Sequence, residues 1–203
     1  MQILGKISIL LVGLGFLLVI FPGSGPYSFN VDPTSLTSSV FDDNSFFSAD
    51  QVAGFVVAED STIQLIDLRS KAEFNSFSIP GSLNIPFNEF FESRPETWLY
   101  NKSARYVFYS NNDVNSSYAL VLARGLGYEN SFVMKGGLNE WFEKVMNSKF
   151  SGERISPREN ALFETRSKAK RFFTEINSLP DSLKLKYAES RRQAERELDG
   201  GCE

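Results

Sequence analysis

The stretch that decides the fold is YVFYSNNDVNSSYALVLARGLG (residues 106–127), which continues after a short gap as FVMKGGLNEW (132–141). Its pattern predicts a buried strand, a polar loop, an amphipathic helix, a second strand and a Gly-Gly turn into another helix. In α/β proteins a loop at the carboxyl end of a strand is the usual place for a ligand, because free backbone N–H groups converge there. Ser110, which opens this loop, is therefore the first candidate site residue.

The composition narrows the chemistry that such a loop can perform. The 203 residues include no histidine, the commonest general base and metal ligand, and they include one cysteine, Cys202. A thiolate metal cluster and an intramolecular disulfide are thereby excluded, and we expect neither a metal site nor a cofactor. The net charge is only -4, with acidic and basic residues mixed, so we expect no nucleic-acid partner.

The N-terminal segment predicts attachment to a membrane. Lys6 precedes an apolar run over residues 7–21, which is at or just below the length that spans a bilayer. Residues 1–25 are interpreted as a retained anchor or a cleaved signal segment, and the anchor is favoured because the A-x-A cleavage pattern is missing. No Lys or Arg lies between Lys6 and Arg69, and this charge bias predicts an extracytoplasmic domain, which is periplasmic in a bacterium.

The middle of the chain predicts one domain that follows a linker. Residues 26–45 are rich in Ser, Asp, Asn, Pro and Thr, and they predict either a linker or an arm that packs on the domain. Residues 46–150 alternate between strand and helix patterns, which predicts an α/β fold with a mainly parallel sheet and helices on both faces. Within this domain Ser48-Ala-Asp-Gln51 has the form of a capping box, and residues 87–98 predict a helix.

The C-terminal part of the chain predicts a helical extension. Residues 151–178 predict a charged helix with an apolar stripe, and residues 179–203 predict a solvated helix or a charged flexible tail. The stripe requires a covering surface, which is the domain itself, a second copy or another protein. The candidate contact residues for a protein partner are Leu162, Phe163, Phe172, Phe173 and Ile176.

Several separate motifs resemble those of the rhodanese-like domain, in the same order and at that family's spacing. They are IDLRSKAEF (66–74), IPGSLNIP (79–86), the strand-loop-helix at Ser110, GLGY (125–128) and MKGGLNEW (134–141). The resemblance implies a parallel five-stranded sheet flanked by helices. It also implies a loop whose first residue, in working sulfurtransferases, is a cysteine that carries a sulfane sulfur from a donor such as thiosulfate to an acceptor.

The resemblance places Ser110 at the position of that cysteine. A hydroxyl cannot hold a transferable sulfane sulfur, and it is hardly ever the anion needed for attack. Asp113 stands where the family usually has glycine, and Asn115 stands where active members often have arginine. The resemblance therefore implies a degenerate active-site loop, made of Ser110, Asn111, Asn112, Asp113, Val114 and Asn115.

Supporting roles also follow from the resemblance. Asp67 and Arg69 are expected to brace the loop or the neighbouring strand ends, and Gly136 and Gly137 are expected to allow strand and helix to approach closely. Together these features predict a non-catalytic binding or scaffolding module. The alternatives are a sulfane-sulfur or redox carrier that uses Cys202 as a mobile terminal thiol, and a residual sulfurtransferase-related activity.

Overall fold

The computed structural model describes residues 42–93, 95–149 and 156–199. In these ranges the strands are β1 (Phe46–Phe47), β2 (Ile63–Asp67), β3 (Leu83–Asn84), β4 (Arg105–Tyr109) and β5 (Ser131–Met134). The α-helices are α1 (Ala49–Val57), α2 (Lys71–Ser76), α3 (Phe87–Glu92), α4 (Val114–Gly125), α5 (Gly137–Trp141), α6 (Pro157–Ser178) and α7 (Asp181–Asp199). Short 3-10 turns cover Asp43–Ser45 and Pro95–Thr97, and a π-helical turn, Phe142–Met146, continues α5.

The five strands form one parallel sheet, as predicted. Their order is β1-β5-β4-β2-β3, so β4 lies in the centre, between β5 and β2. Each parallel neighbour requires a crossover connection, and the helices between the strands provide these connections. Because all strands run the same way, their carboxyl ends meet at one edge of the sheet, and the loop at Ser110 leaves the central strand at that edge.

Strand β4 shows why the sheet is covered on both faces. Val107 and Tyr109 belong to one hydrophobic cluster, with residues of α1, α5 and α6, whereas Tyr106 and Phe108 belong to a second cluster with residues of α3 and α4. All four side chains are fully buried. Successive side chains of a strand point to opposite faces, so a strand covered on both faces is apolar throughout rather than alternating.

The sequence predicted the start of α1 correctly and the end of α3 incorrectly. The capping box that begins α1 is confirmed, because Gln51 N donates to Ser48 Oγ (3.3 Å) and Ser48 N donates to Gln51 Oε1 (2.8 Å). The helix predicted over residues 87–98 was too long: α3 ends at Glu92, and Pro95 begins a 3-10 turn instead. Proline lacks a backbone N–H and disfavours α geometry in the residue before it, which explains the early end of the helix.

The last residues of the predicted linker are part of the folded domain. Ser45 is completely buried, and its Oγ accepts a hydrogen bond from Arg124 Nη1 at 2.8 Å. The remainder of that segment and the predicted anchor over residues 1–25 lie outside the described residues. Among the helices of the described ranges, none has both the length and the apolar character that crossing a bilayer requires.

Helix α6 packs on the domain. Ala169 and Phe173 are buried in the core cluster that contains Trp141, whose ring centroid lies 6.2 Å from that of Phe173. Near the middle of α6, Arg166 forms an ion pair with Asp50 in the first turn of α1 at 2.6 Å. The apolar stripe of α6 is therefore covered largely by the domain itself, and Phe173 is a core residue.

The other stripe residues are less buried than Phe173. Phe172 packs against the edge of the same core cluster, and Leu162, Phe163 and Ile176 are half-buried. Contact of this stripe with a protein partner remains a prediction for these four side chains.

The segment predicted as a solvated helix or flexible tail forms a helix, α7, over most of its length. Tyr187 packs edge-on against Phe172 at 6.0 Å, and Arg191 Nη1 donates to the backbone oxygen of Glu59 at 3.0 Å. These two contacts tie a charged helix to the domain, which the sequence pattern alone, poor in apolar residues, did not indicate. Cys202 lies outside the described residues.

We predict that Phe173→Ala will reduce the free energy of unfolding by about 3–5 kcal/mol, because it removes a large side chain that is 5% exposed from a packed core. Urea unfolding followed by circular dichroism measures this change. Leu185→Ala on α7 is the control: Leu185 is 63% exposed, so we expect a change below about 0.5 kcal/mol. Equal effects of the two substitutions would show that α6 is not packed as described.

Candidate functional site

The loop that follows β4 connects the central strand to helix α4 through residues 110–113. Ser110 is buried, with 6% of its surface exposed, whereas Asn111 and Asn112 are exposed. Val114 and Asn115 form the first turn of α4, and the Val114 side chain is 54% exposed. The six predicted loop residues therefore occupy one short turn at the carboxyl edge of the sheet.

The backbone of this loop is bound to the start of helix α5. Leu138 N donates to the Ser110 carbonyl at 2.9 Å, and Asn139 N donates to the Asn111 carbonyl at 3.1 Å. This approach requires glycine at position 137, because a Cβ there would lie 2.5 Å from the Ser110 carbonyl oxygen. Gly137 also has a φ of +58°, which side chains rarely adopt.

Position 136 also requires glycine, here because of a contact within α5. It has a φ of +70°, and a Cβ at this position would lie 2.6 Å from the Cβ of Glu140. The Gly-Gly pair thus lets the chain turn from β5 into α5 while the second glycine touches the loop. Gly136 and Gly137, which were expected to allow a close approach, both lie where a Cβ would collide with a neighbouring residue.

Polar side chains fix the shape of the loop from within. Asn112 Oδ1 accepts a hydrogen bond from Val114 N at 3.1 Å, and Asp113 Oδ2 accepts one from Gly136 N at 3.4 Å. Within the described part of the chain, the backbone N–H groups of Asn111 and Asn112 donate to no protein acceptor. The loop is held in shape, and two of its backbone donors are left for another acceptor.

Helix α2 supports the loop from the side. Asn111 Nδ2 donates to Glu73 Oε1 at 2.9 Å, while Glu73 Oε2 accepts from the Ser70 hydroxyl at 2.6 Å. The hydrogen bond from Ser70 and then that from Asn111 lower the pKa of Glu73. Since the folded-state pKa lies below the unfolded value, this contribution to stability is present at neutral pH and is lost as the pH falls through the lowered pKa.

Asp67 and Arg69 form a buried ion pair next to the loop. Arg69 Nη2 lies 2.6 Å from Asp67 Oδ2, and the two side chains are 1% and 0% exposed for Arg69 and Asp67 respectively. Arg69 Nη2 also donates to the carbonyl of Phe77 at 2.7 Å. Burial disfavours the charged guanidinium, but the hydrogen bonds and charge of Asp67 outweigh burial and raise the pKa of Arg69.

Hydrogen bonds around this pair join three neighbouring strands. Asp67 ends β2, Leu68 N donates to the Tyr109 carbonyl of β4 at 2.9 Å, and Asn84 of β3 donates to the backbone oxygens of Asp67 (3.0 Å) and Arg69 (2.9 Å). The ion pair is therefore placed to support the strand end from which the Ser110 loop leaves. It is internal to the fold and presents no charge to solvent at the loop.

Sequence reasoning missed two residues of this region, Tyr109 and Asn84. The Tyr109 hydroxyl lies 2.7 Å from Ser82 Oγ and accepts a hydrogen bond from Ile79 N at 3.3 Å, which ties the segment after α2 to the end of β4. Burial raises the pKa of Tyr109, so its hydroxyl keeps its proton and has a structural role. Each is the last residue of its strand, and this position at the carboxyl edge of the sheet could have marked both as candidate site residues.

Two of the remaining predictions concern other parts of the chain. Cys202 lies outside the described residues. In the described ranges no cluster of three acidic, histidine or cysteine residues could hold a metal ion.

We predict that Gly137→Ala will destabilise the protein by about 2–4 kcal/mol, because the added methyl must displace the Ser110 loop and adopt an unfavourable φ. Gly54→Ala in α1 is the matched control. A Cβ at Gly54 meets no atom within 4 Å, and helix propensity favours alanine there by up to about 1 kcal/mol. Thermal unfolding of both variants measures the difference, and a neutral Gly137→Ala would contradict the close contact.

We also predict that Asp67→Asn will cost about 3–5 kcal/mol, since it leaves the buried Arg69 guanidinium without its counter-charge. Replacing both residues, as Asp67→Leu with Arg69→Met, should cost less than this single change. Glu143→Gln, in the exposed pair with Lys144, should change the stability by less than about 0.5 kcal/mol. If Asp67→Asn had as small an effect as Glu143→Gln, the buried pair would have no structural role.

Comparison with known proteins identifies this architecture. The family model described as the rhodanese-like domain matches residues 49–144. A curated human relative, thiosulfate:glutathione sulfurtransferase, is 33% identical over an alignment of 92 residues, and the match covers 40% of this chain and 80% of the relative.

Solved structures with similar folds include two single-domain sulfurtransferases. The Saccharomyces cerevisiae protein is 26% identical, and the alignment covers 49% of this chain and 89% of that one, with a TM-score of 0.44. The human protein is 26% identical over 49% of this chain and 96% of its own, with a TM-score of 0.43. Given the family match and the extent of the curated human relative that it covers, the chain belongs to the rhodanese-like domain family.

Proposed function

We propose that this chain is a non-catalytic rhodanese-like module, which binds or scaffolds another molecule at the Ser110 loop and does not transfer sulfur. We propose further that residues 1–25 anchor it to a membrane, with the domain on the extracytoplasmic side. The observation that carries the first proposal is the identity of the side chain that opens the loop. Ser110 is a buried hydroxyl, and the sequence contains no histidine that could act as its base.

The chemistry of sulfur transfer requires what this loop lacks. A sulfurtransferase accepts the outer sulfur of thiosulfate on a thiolate, forms an S–S bond and releases sulfite. A serine oxygen has no equivalent stable product, and its pKa lies far above that of a thiol. Cys202, the one thiol of the chain, lies 92 positions after Ser110 in the sequence and is preceded by two glycines.

The charges around the loop also disfavour an anionic donor such as thiosulfate. Asp113 contributes a carboxylate to the loop, and the sequence has no Lys or Arg between Arg105 and Arg124. Lys135, which precedes the glycine pair, is 3.7 Å from Asp43, and Arg69 is paired with Asp67 in the interior. A negative substrate would meet a local negative potential with little compensation.

The geometry of the loop nevertheless supports a binding role. The hydrogen bonds to α5 and α2 fix its shape, and the N–H groups of Asn111 and Asn112, which meet no acceptor among the described residues, can donate to a bound molecule. A neutral acceptor such as a peptide carbonyl satisfies these donors without approaching Asp113 as an anion. A loop that is preorganised but lacks a nucleophile suits recognition better than turnover.

The test is a sulfur-transfer assay on the full chain, with thiosulfate as donor and either cyanide or glutathione as acceptor. We expect no turnover above the uncatalysed rate, and we expect Ser110→Cys alone to restore little. Adding Asp113→Gly and Asn115→Arg to Ser110→Cys should raise the rate at least about tenfold over Ser110→Cys alone, because the loop then attracts the anionic donor. Ser103→Cys, an exposed thiol at the opposite end of β4, is the control and should remain inactive.

Turnover by the unmodified chain would overturn the proposal. If that turnover disappeared in Cys202→Ser, the terminal thiol would be the sulfur carrier. Mass spectrometry after exposure to thiosulfate gives the same information directly, since a carrier gains the mass of one sulfur atom on Cys202. If turnover survived in Cys202→Ser, a residual activity would reside in the Ser110 loop itself.

A further inference from the structure

A cavity of ≈ 300 Å³ lies where the C-terminal helices meet the rhodanese-like domain. Its walls come from α2, from the segment that follows α2, from the end of α6 and from α7. The apolar part of the lining includes Phe74, Ile79, Pro80, Ile176 and Leu185. This volume is at the lower end of the range that small-molecule sites occupy in proteins.

One wall of the cavity comes from a part of the chain that lies outside the family match. Helices α6 and α7 lie after the family match, which ends at residue 144, and they provide one complete wall. Leu185 is 63% exposed although it lines the cavity, and Ile176 is only half-buried. An apolar molecule in this space would remove that hydrocarbon surface from water, which is favourable.

A cation lies between the two walls. Lys184 Nζ, on α7, donates to the Asn75 carbonyl of α2 at 3.5 Å and lies 3.8 Å from Asp181 Oδ1. Both contacts are long, and an ammonium group has three donors, so at least one donor remains for a ligand. The Lys184 side chain is only 22% exposed, which limits the screening of its charge by solvent.

The other charges of the lining leave the cavity positive. Lys71 of α2 is a second cation, and Asp181 is the acidic residue among the described residues that form the walls. The Asp181 side chain is 81% exposed, so its charge is well screened by water. A monoanion therefore finds net attraction next to an apolar surface.

We propose that this cavity binds an apolar monocarboxylate of medium chain length. Its carboxylate contacts Lys184 and Lys71, and its hydrocarbon chain covers Ile79, Ile176 and Leu185. This site does not include the Ser110 loop, so the proposal is independent of whether the loop transfers sulfur.

The experiment is a calorimetric titration of the full chain with octanoate, octan-1-ol and octylamine, which each have eight carbon atoms and differ in charge. We expect octanoate to bind with a 1:1 stoichiometry, at least about tenfold more tightly than the alcohol or the amine. Lys184→Glu should weaken octanoate binding by at least about tenfold, because it reverses the charge of the side chain that contacts the carboxylate.

Lys186→Glu is the matched control for this titration. It makes the same charge change on the same helix at an exposed position that does not line the cavity, so octanoate binding should change less than about twofold. Uptake of octanoate by the apolar run at residues 7–21 or by detergent is the same in both variants. The difference between them therefore reports the cavity alone.

Equal binding of octanoate and octan-1-ol would overturn the proposal, as would tighter binding of octylamine or equal behaviour of Lys184→Glu and Lys186→Glu. If Lys184→Glu fails to fold, as judged by its thermal unfolding, Lys184→Met serves instead, since it keeps a hydrocarbon stem and removes the charge. That variant should weaken octanoate binding and leave octan-1-ol unchanged, and an unchanged octanoate affinity would refute the assigned contact.

Discussion

The structure around the loop depends on a contact between two backbones, that of the Ser110–Asn111 turn and that of the start of helix α5. Two hydrogen bonds join them, from Leu138 N and Asn139 N, and the absence of a Cβ at Gly137 permits the distance. Backbone contacts of this kind depend little on the side chains of the loop. The loop can therefore keep its shape when its side chains change, so the architecture of the site and its chemistry can be lost separately.

Much of the fold was predictable because its signals are local and strong. The apolar run of β4, the capping box at Ser48 and the Gly-Gly turn each depend on a few neighbouring residues, and each appears in the structure as its pattern indicated. The position of the Ser110 loop followed from the strand-loop-helix order. The length of α3 could not be predicted in the same way, because the helical pattern over residues 87–98 had to be weighed against a single proline.

Other features could not be predicted because they depend on residues distant in sequence. The anchoring of α7 through Tyr187 and Arg191 requires partners on α6 and after α1, and neither helix pattern shows such a partner. The same holds for Asn111 with Glu73, which lie 38 positions apart. Composition predicted that α7 is solvated, and the helix is indeed mostly polar. A few well-placed side chains, Tyr187 and Arg191 among them, pack it on the domain.

The hydrogen bonds of Asn177 bear on the order in which the parts of the domain fold. Its side-chain amide accepts from Ser78 N and donates to the Ser78 carbonyl, both at 2.9 Å, and thereby pairs with an irregular backbone segment 99 positions earlier in the chain. During synthesis from the N-terminus, all five strands precede Asn177, so the sheet can assemble while Ser78 and the hydrophobic pocket for Phe173 still face water. Contacts over such a separation form late and slow the final step of folding. A nascent chain would thus pass through a stage with a finished sheet and one face that α1 and α5 cover only in part.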